Sequence, residues 1–587
     1  MKKRMLILMI CALALSVCLT GSAEGGIDLS DYFSNRDLSG TWSDAQTIDL
    51  NGQTAIQITQ EGVYLLSGTM NGTITVSADD KAKVQLVLNG VSITAETGAA
   101  IYVEQADKVF ITLAEGTENF LTSTSFDENT KIDGAIFSKE DLTLNGAGSL
   151  TIVSADHGIV GKDDLKITGG TYTITAEGRG LDANDSVRIY DGSFAIVSGK
   201  DAIRAKNEEE NKGYVLIAGG SFDLSVNGGA ANGEAHTDDM MRGFGRGGWN
   251  QNNNTAAEDT SASAKGVKAS NWLIILDGDF TVNASDDAFH TDGDLTVYGG
   301  NFTIRTGDDG MHADNALTIN GGAIHITESY EGLEAAAITI NGGDISLRAS
   351  DDGVNSSGGN DGSGFGRNDM FASDGSSITI NGGTLYVNAD GDGIDANGDL
   401  TVNGGVVVVS GPTNSGNGAL DYNGVGAING GAVVAAGASG MAETFGNTST
   451  QVSFMANLSG GAGTITVTDG SGNTLLTGDV EKNYQCVVVS SPELQIGETY
   501  TVSNADTSVQ VTVSAVSGGG SGNWGMGGGH GGWDRQQQMP DNMPQMPDGQ
   551  QQMPDNMPQM PGGQMPGGGQ MPGGNPGWGN PGGGRRK

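Results

Sequence analysis

The feature that most constrains this chain is a repeat of 21–22 residues that begins at Asp286 and runs without a gap through Asp286–Gly307, Asp308–Ser329 and Tyr330–Ser350. Two further copies follow: Asp351–Asp390, which carries an inserted Gly/Asn/Ser loop, and Gly391–Pro412. Looser copies lie upstream at Asp133–Ala155, Asp156–Gly178, Arg179–Lys200 and Asp201–Gly228. Self-similarity at this period builds a protein from stacked units, none of which can bury an apolar face alone. Within a copy, apolar residues alternate with polar ones in three short bursts, as in Met311/Ala313, Leu317/Ile319 and Ile324/Ile326. Period-two alternation in runs this short predicts strands with one buried face. Gly-Gly pairs at 299–300, 321–322, 342–343, 382–383 and 404–405 fall between the second and third bursts, where positive φ lets the backbone turn a corner. Three strands and three turns per copy describe one coil. The expected fold is all-β: a right-handed parallel β-helix of about 22 residues per coil, with a small C-terminal antiparallel β-domain and a disordered tail.

Composition changes mark the boundaries. Met1-Lys2-Lys3-Arg4, the apolar run to Leu19 and Gly21-Ser22-Ala23 read as a secretory signal peptide over 1–23. The repeats then occupy 24–444, with loop insertions at 228–263 and 356–376. A different alternation over 445–517 predicts the small β-domain, and the Gly/Pro/Met/Gln-rich stretch 518–587 cannot bury a core. Beyond the leader no run reaches the ~18 apolar residues needed to span a bilayer. Export is expected, to the medium or the cell surface. Cys486 is the single cysteine after the leader, so no internal disulfide can form. A monomer is expected. Seventy acidic against 29 basic residues, a net charge of −41, argue against nucleic-acid partners, which require clustered Lys and Arg.

The acids are not scattered. Asp286-Asp287, Asp308-Asp309 and Asp351-Asp352 recur once per coil, and Asp390 and Asp392 are placed at the equivalent turn. Stacked coils lie about 4.8 Å apart. Two bare carboxylates at that distance repel by about 0.9 kcal/mol in bulk water and several times more at an effective dielectric near 20. A row of them calls for cations, and calcium, which takes six to eight oxygen ligands, suits it best; solvated Asp-Gly turns are the plainer alternative. A second row follows the first buried residue of each coil and includes His290, His312, Glu334, Asn355 and Asp395, with Asp292 and Asp314 two positions beyond the histidines. These side chains are expected to face outward as a strip that hydrogen-bonds sugar hydroxyls, with Tyr386 as an aromatic platform. Two histidines one coil apart are a weak zinc signal. Asn320, Asn341, Asn381 and Asn403 are expected to stack as a structural ladder. No base for lyase chemistry stands out, since Arg305, Arg348 and Arg367 lie off the Asp turns and nothing marks Lys265 or Lys268.

Gly62–Gly68, Val84–Val91, Ala99–Glu118, Asp133–Gly148 and Asp156–Thr173, followed by the Asp-Asp-Gly coils, resemble the clostridial carbohydrate-binding, polysaccharide-lyase-like right-handed β-helix proteins over roughly 48–440. The resemblance implies an extracellular, calcium-containing protein that binds cellulose and acidic plant cell-wall polysaccharides such as pectin, without an established lyase activity. A calcium-dependent pectate-type lyase and a structural surface adhesin are the alternatives.

Overall fold

In the computed structural model, residues 27–234, 263–357, 373 and 375–518 are described. The expected leader, most of both loop insertions and residues 519–587 of the tail lie outside them. The described chain is all-β, dominated by one 42-stranded sheet whose strands pair parallel with strands a repeat away in sequence. Leu295 pairs with Leu317, Leu317 with Ile338, Ile338 with Ile378 and Ile378 with Leu400. Every one of these residues is buried, so identical pattern positions become vertical neighbours in one continuous core. This is a β-helix-like stacking of coils.

The third strands show the same logic with aromatics. Tyr172, Phe194, Phe222, Phe280 and Phe302 stack inside the coils at centroid spacings of 5.1, 5.0, 4.6 and 4.8 Å, with planes within 10° of parallel. Phe302 then hands over to Ile324 and Ile345. The corner before these strands needs glycine: Gly300 has φ +105°, and a Cβ there would lie 2.7 Å from the Gly278 carbonyl oxygen. Beside that corner the expected asparagine ladder is present, each side-chain amide donating to its neighbour along Asn341→Asn320, Asn381→Asn341, Asn403→Asn381 and Asn429→Asn403 at 2.8–3.0 Å.

The short helix Asn35–Leu38 lies along a flank of the stack, where Asp37, which is buried, meets Lys108 and Thr143 of successive coils at 2.6 and 2.9 Å. At the far end Cys486–Ser490 runs antiparallel to Ala432–Gly437. A four-stranded antiparallel sheet over Gly463–Thr468, Thr474–Val480, Thr499–Ser503 and Ser508–Thr512 shares a hydrophobic cluster with Val408 and Val434 of the last coils. Covering a terminal edge in this way removes a template for edge-to-edge pairing.

Candidate functional site

Parallel register stacks Ile159, Leu181, Ile203, Val267, Phe289, Met311, Leu333, Val354 and Ile394 as the first inward residue of successive coils. Counting back two residues from each gives one row: His157, Arg179, Asp201, Lys265, Asp287, Asp309, Glu331, Asp352 and Asp392. Counting on by one gives another, Asp182, Arg204, Lys268, His290, His312, Glu334, Asn355 and Asp395, continued by Asp421. The turn backbone holds the first row in place. The Asp309 and Glu331 amides donate to Asp287 and Asp309 at 3.0 and 3.1 Å, and the Asp392 amide donates to Asp352 at 2.6 Å. Each of these three carboxylates thus spends one oxygen on the next coil.

Charge along these rows is graded. In the early coils each acid has a built-in cation: Arg179 reaches Asp201 at 2.8 Å, Arg204 reaches Asp182 at 2.8 Å, and Lys265 reaches Asp286 and Asp287 at 2.5 and 2.6 Å. Burial opposes ionisation of Asp287, but the Lys265 ammonium holds its carboxyl well below the usual range. Next come two histidines. His290 lies 2.8 Å from Asp287 and 2.9 Å from Asp292; His312 lies 3.1 Å from Asp309, 3.0 Å from Glu334 and 3.3 Å from Asp314. Beyond them the rows are acidic or neutral. No lysine or arginine among the described residues pairs with Glu331, Asp352 or Asp392; the nearby cations Arg348 and Lys482 are taken by Glu481 and Asp390.

The consequence is read in the proton affinities. Burial, then the charges of Asp309, Glu334 and Asp352, push Glu331 far above the carboxylate range. Burial and then Asp395, Asp392 and Asp351 do the same to Asp352. Burial raises Asp392 to about 7, and burial with Asp421 raises Glu443 to about 7. Glu334 goes the other way: burial would raise it, but the His312 hydrogen bond and charge bring it to about 2. Buried acids without a partner must take up either protons or cations.

Four groups bring ligand atoms within 4.8 Å of one another: Asp286/Asp287/Asp308, Asp287/His290/His312, Asp309/His312/Glu334 and Asp352/Asp392/Asp395. The last is all oxygen and has a further donor beside it. Asn355, 8% exposed, gives its amide nitrogen to both Glu331 oxygens at 3.0 and 2.9 Å, which leaves its carbonyl oxygen buried with no hydrogen-bond partner. Its register position is directly before Asp395. Carboxylates plus an unsatisfied amide carbonyl are the ligand set of a hard cation.

Several expected placements change. The outward-facing strip does not hold for His290 and His312, which are buried and spend their ring nitrogens on carboxylates rather than on sugars. Asp292 and Asp314 remain accessible at its edge. Asp390 is one residue too early: the Gly391 amide bonds to the Asp351 carbonyl, so Gly391-Asp392 overlays Asp351-Asp352. Asp390 instead sits in solvent with Lys482. Tyr386 is exposed as expected, but it is in register with Ser346 and Val408 on the third strands, away from the acid rows. Glu331 was hidden because its coil writes Tyr330-Glu331 where the others write Asp-Asp; Asp421 and Glu443 lie where the repeat loosens.

Stacked parallel coils with a partly buried, partly uncompensated acid row define an all-β protein with cation-binding potential on one flank. Its sequence places it further. The profile of the family described as carbohydrate-binding domain-containing protein matches residues 52–310 and 310–530, and this chain belongs to that family. A carbohydrate-binding domain-containing protein of Acetivibrio thermocellus is 38% identical over 213 residues, 35% of this chain and 73% of that protein. A polysaccharide lyase-like protein from C. thermocellum, solved as a gadolinium derivative, shares 28% identity over 46% of this chain and 95% of its own, with a TM-score of 0.34.

Proposed function

We propose that this chain is an exported, non-catalytic polysaccharide-binding protein that takes up calcium at Asp352, Asp392, Asp395 and Asn355 and binds cellulose and acidic glycans such as pectin. Membership of a carbohydrate-binding family supports the glycan partner. The observation that carries the cation is the buried Asn355 carbonyl oxygen left unpartnered beside three carboxylates. Oxygen donors only, with no nitrogen or sulfur, favour calcium over transition ions. A bound calcium ion supplies local positive charge that a chain of −41 otherwise lacks for meeting an acidic glycan. The accessible carboxylates Asp292 and Asp314 stand on the same flank for hydroxyl contacts.

A binding panel of pectate, cellulose and a neutral soluble glycan, run with calcium and with chelator, tests this function. Pectate retention that disappears on chelation is expected. Pectate retention indifferent to chelator would remove the calcium role, and failure to retain any glycan would remove the function.

A further inference from the structure

Asp309, His312 and Glu334 form a different kind of set. His312 Nδ1 lies 3.1 Å from Asp309 Oδ2 and 3.0 Å from Glu334 Oε2. One ring nitrogen carries at most one proton, so it cannot serve two carboxylates fully. Around a tetrahedral ion with bonds of about 2.0–2.1 Å, neighbouring ligand atoms lie about 3.3 Å apart. That is close to the spacing seen.

The remaining atom of each ligand is already engaged. Asp309 Oδ1 accepts the Glu331 amide at 3.1 Å. Glu334 Oε1 accepts the Ser357 hydroxyl at 2.9 Å. His312 Nε2 lies 3.3 Å from Asp314, to which an Nε2–H can donate, leaving Nδ1 without a proton. Such outer partners orient the ligands of protein metal sites and fix the imidazole tautomer. The neighbouring coil lacks this freedom, because the Lys265 ammonium already occupies Asp287.

We propose that Asp309, His312 and Glu334 bind a borderline divalent transition ion, zinc or a close neighbour, as a structural site separate from the calcium cluster. It rests on the same reading of the rows as cation-holding but requires a nitrogen ligand. Its place in the fold gives it a task. The pairing register slips between Ala313 and Ala316, where a 22-residue coil meets a 21-residue one. An ion held by Asp309 and His312 from one coil and Glu334 from the next pins that junction.

Cobalt(II) titration of the full chain in saturating calcium tests this, because its visible ligand-field bands report nitrogen and oxygen ligation that calcium cannot mimic. One equivalent of cobalt, displaced by zinc, is expected for the parent, with none in His312→Gln. Asp314→Asn and Ser357→Ala, which leave all three ligands in place, should weaken uptake by about 10–100-fold and serve even if His312→Gln does not fold. No saturable uptake by the parent, or uptake unchanged in these variants, overturns the proposal. Pectate binding that stays calcium-dependent in His312→Gln keeps the two sites distinct; if the parent takes up cobalt but binds no glycan, only the proposed function fails.

Discussion

Asp352 and Asp392 are paired through the Asp392 amide and sit beside Asp395 with no basic side chain among the described residues to balance them. Each therefore has an ionised form that the coil stack disfavours and that a bound cation would balance. Asp352→Asn removes a carboxyl group whose ionisation the neighbouring acids oppose, while keeping its shape. At effective dielectrics near 20, a charge pair at this separation is worth about 3–4 kcal/mol, of which a fraction survives relaxation. The metal-free Asp352→Asn protein is therefore expected to be about 1–2 kcal/mol more stable than the parent near neutral pH. It should also lose most of the stabilisation that calcium gives. Denaturant unfolding with calcium and with chelator checks both; a variant less stable than the parent in chelator would mean that the carboxylate contributes through hydrogen bonds rather than through stored repulsion.

At the scale of strands and coils, the inward aromatic stack fills the core in the middle of the coils, its rings spaced as the parallel strands that carry them. Phe222 touches Phe194 and Phe280 at 5.0 and 4.6 Å and is almost fully buried. Phe222→Ala is expected to cost about 3–5 kcal/mol, seen as a lower denaturation midpoint. The Gly-Gly corners and the asparagine ladder were legible beforehand, because a strict period converts sequence spacing directly into vertical contact; the aromatic stack, which falls mostly in the looser upstream copies, was not read. The cation rows were legible only in part. Asp352 and Asp392 follow from alignment, but Asp390 was misplaced by one residue and Glu331 was overlooked, since a one-residue shift moves a side chain to the other face of a strand. The burial of His290 and His312 was invisible for another reason. Alternation tells whether a side chain leaves the core, but not whether carboxylates three residues earlier fold back over it, as Asp287 and Asp309 do.

For the molecule as a whole, acids raised by burial make stability depend on pH and metal together. Asp392 and Glu443 hold protons up to about 7 when folded, against about 3.9 and 4.3 in an unfolded chain. Between those limits the folded state binds more protons, so stability falls as pH rises from about 4 to about 7 and is flat on either side from these groups. Metal binding needs the same oxygens deprotonated, so calcium gains on protons as pH rises. The melting temperature in chelator should thus drop between pH 5 and pH 7.5, whereas in calcium it should hold or rise, and the gap between the two conditions should widen with pH. Thermal melts at the two pH values with and without chelator decide it. An equal gap at both would mean that calcium binds carboxylates already ionised at pH 5, and would shift the site from the buried rows to exposed acids such as Asp292 and Asp314.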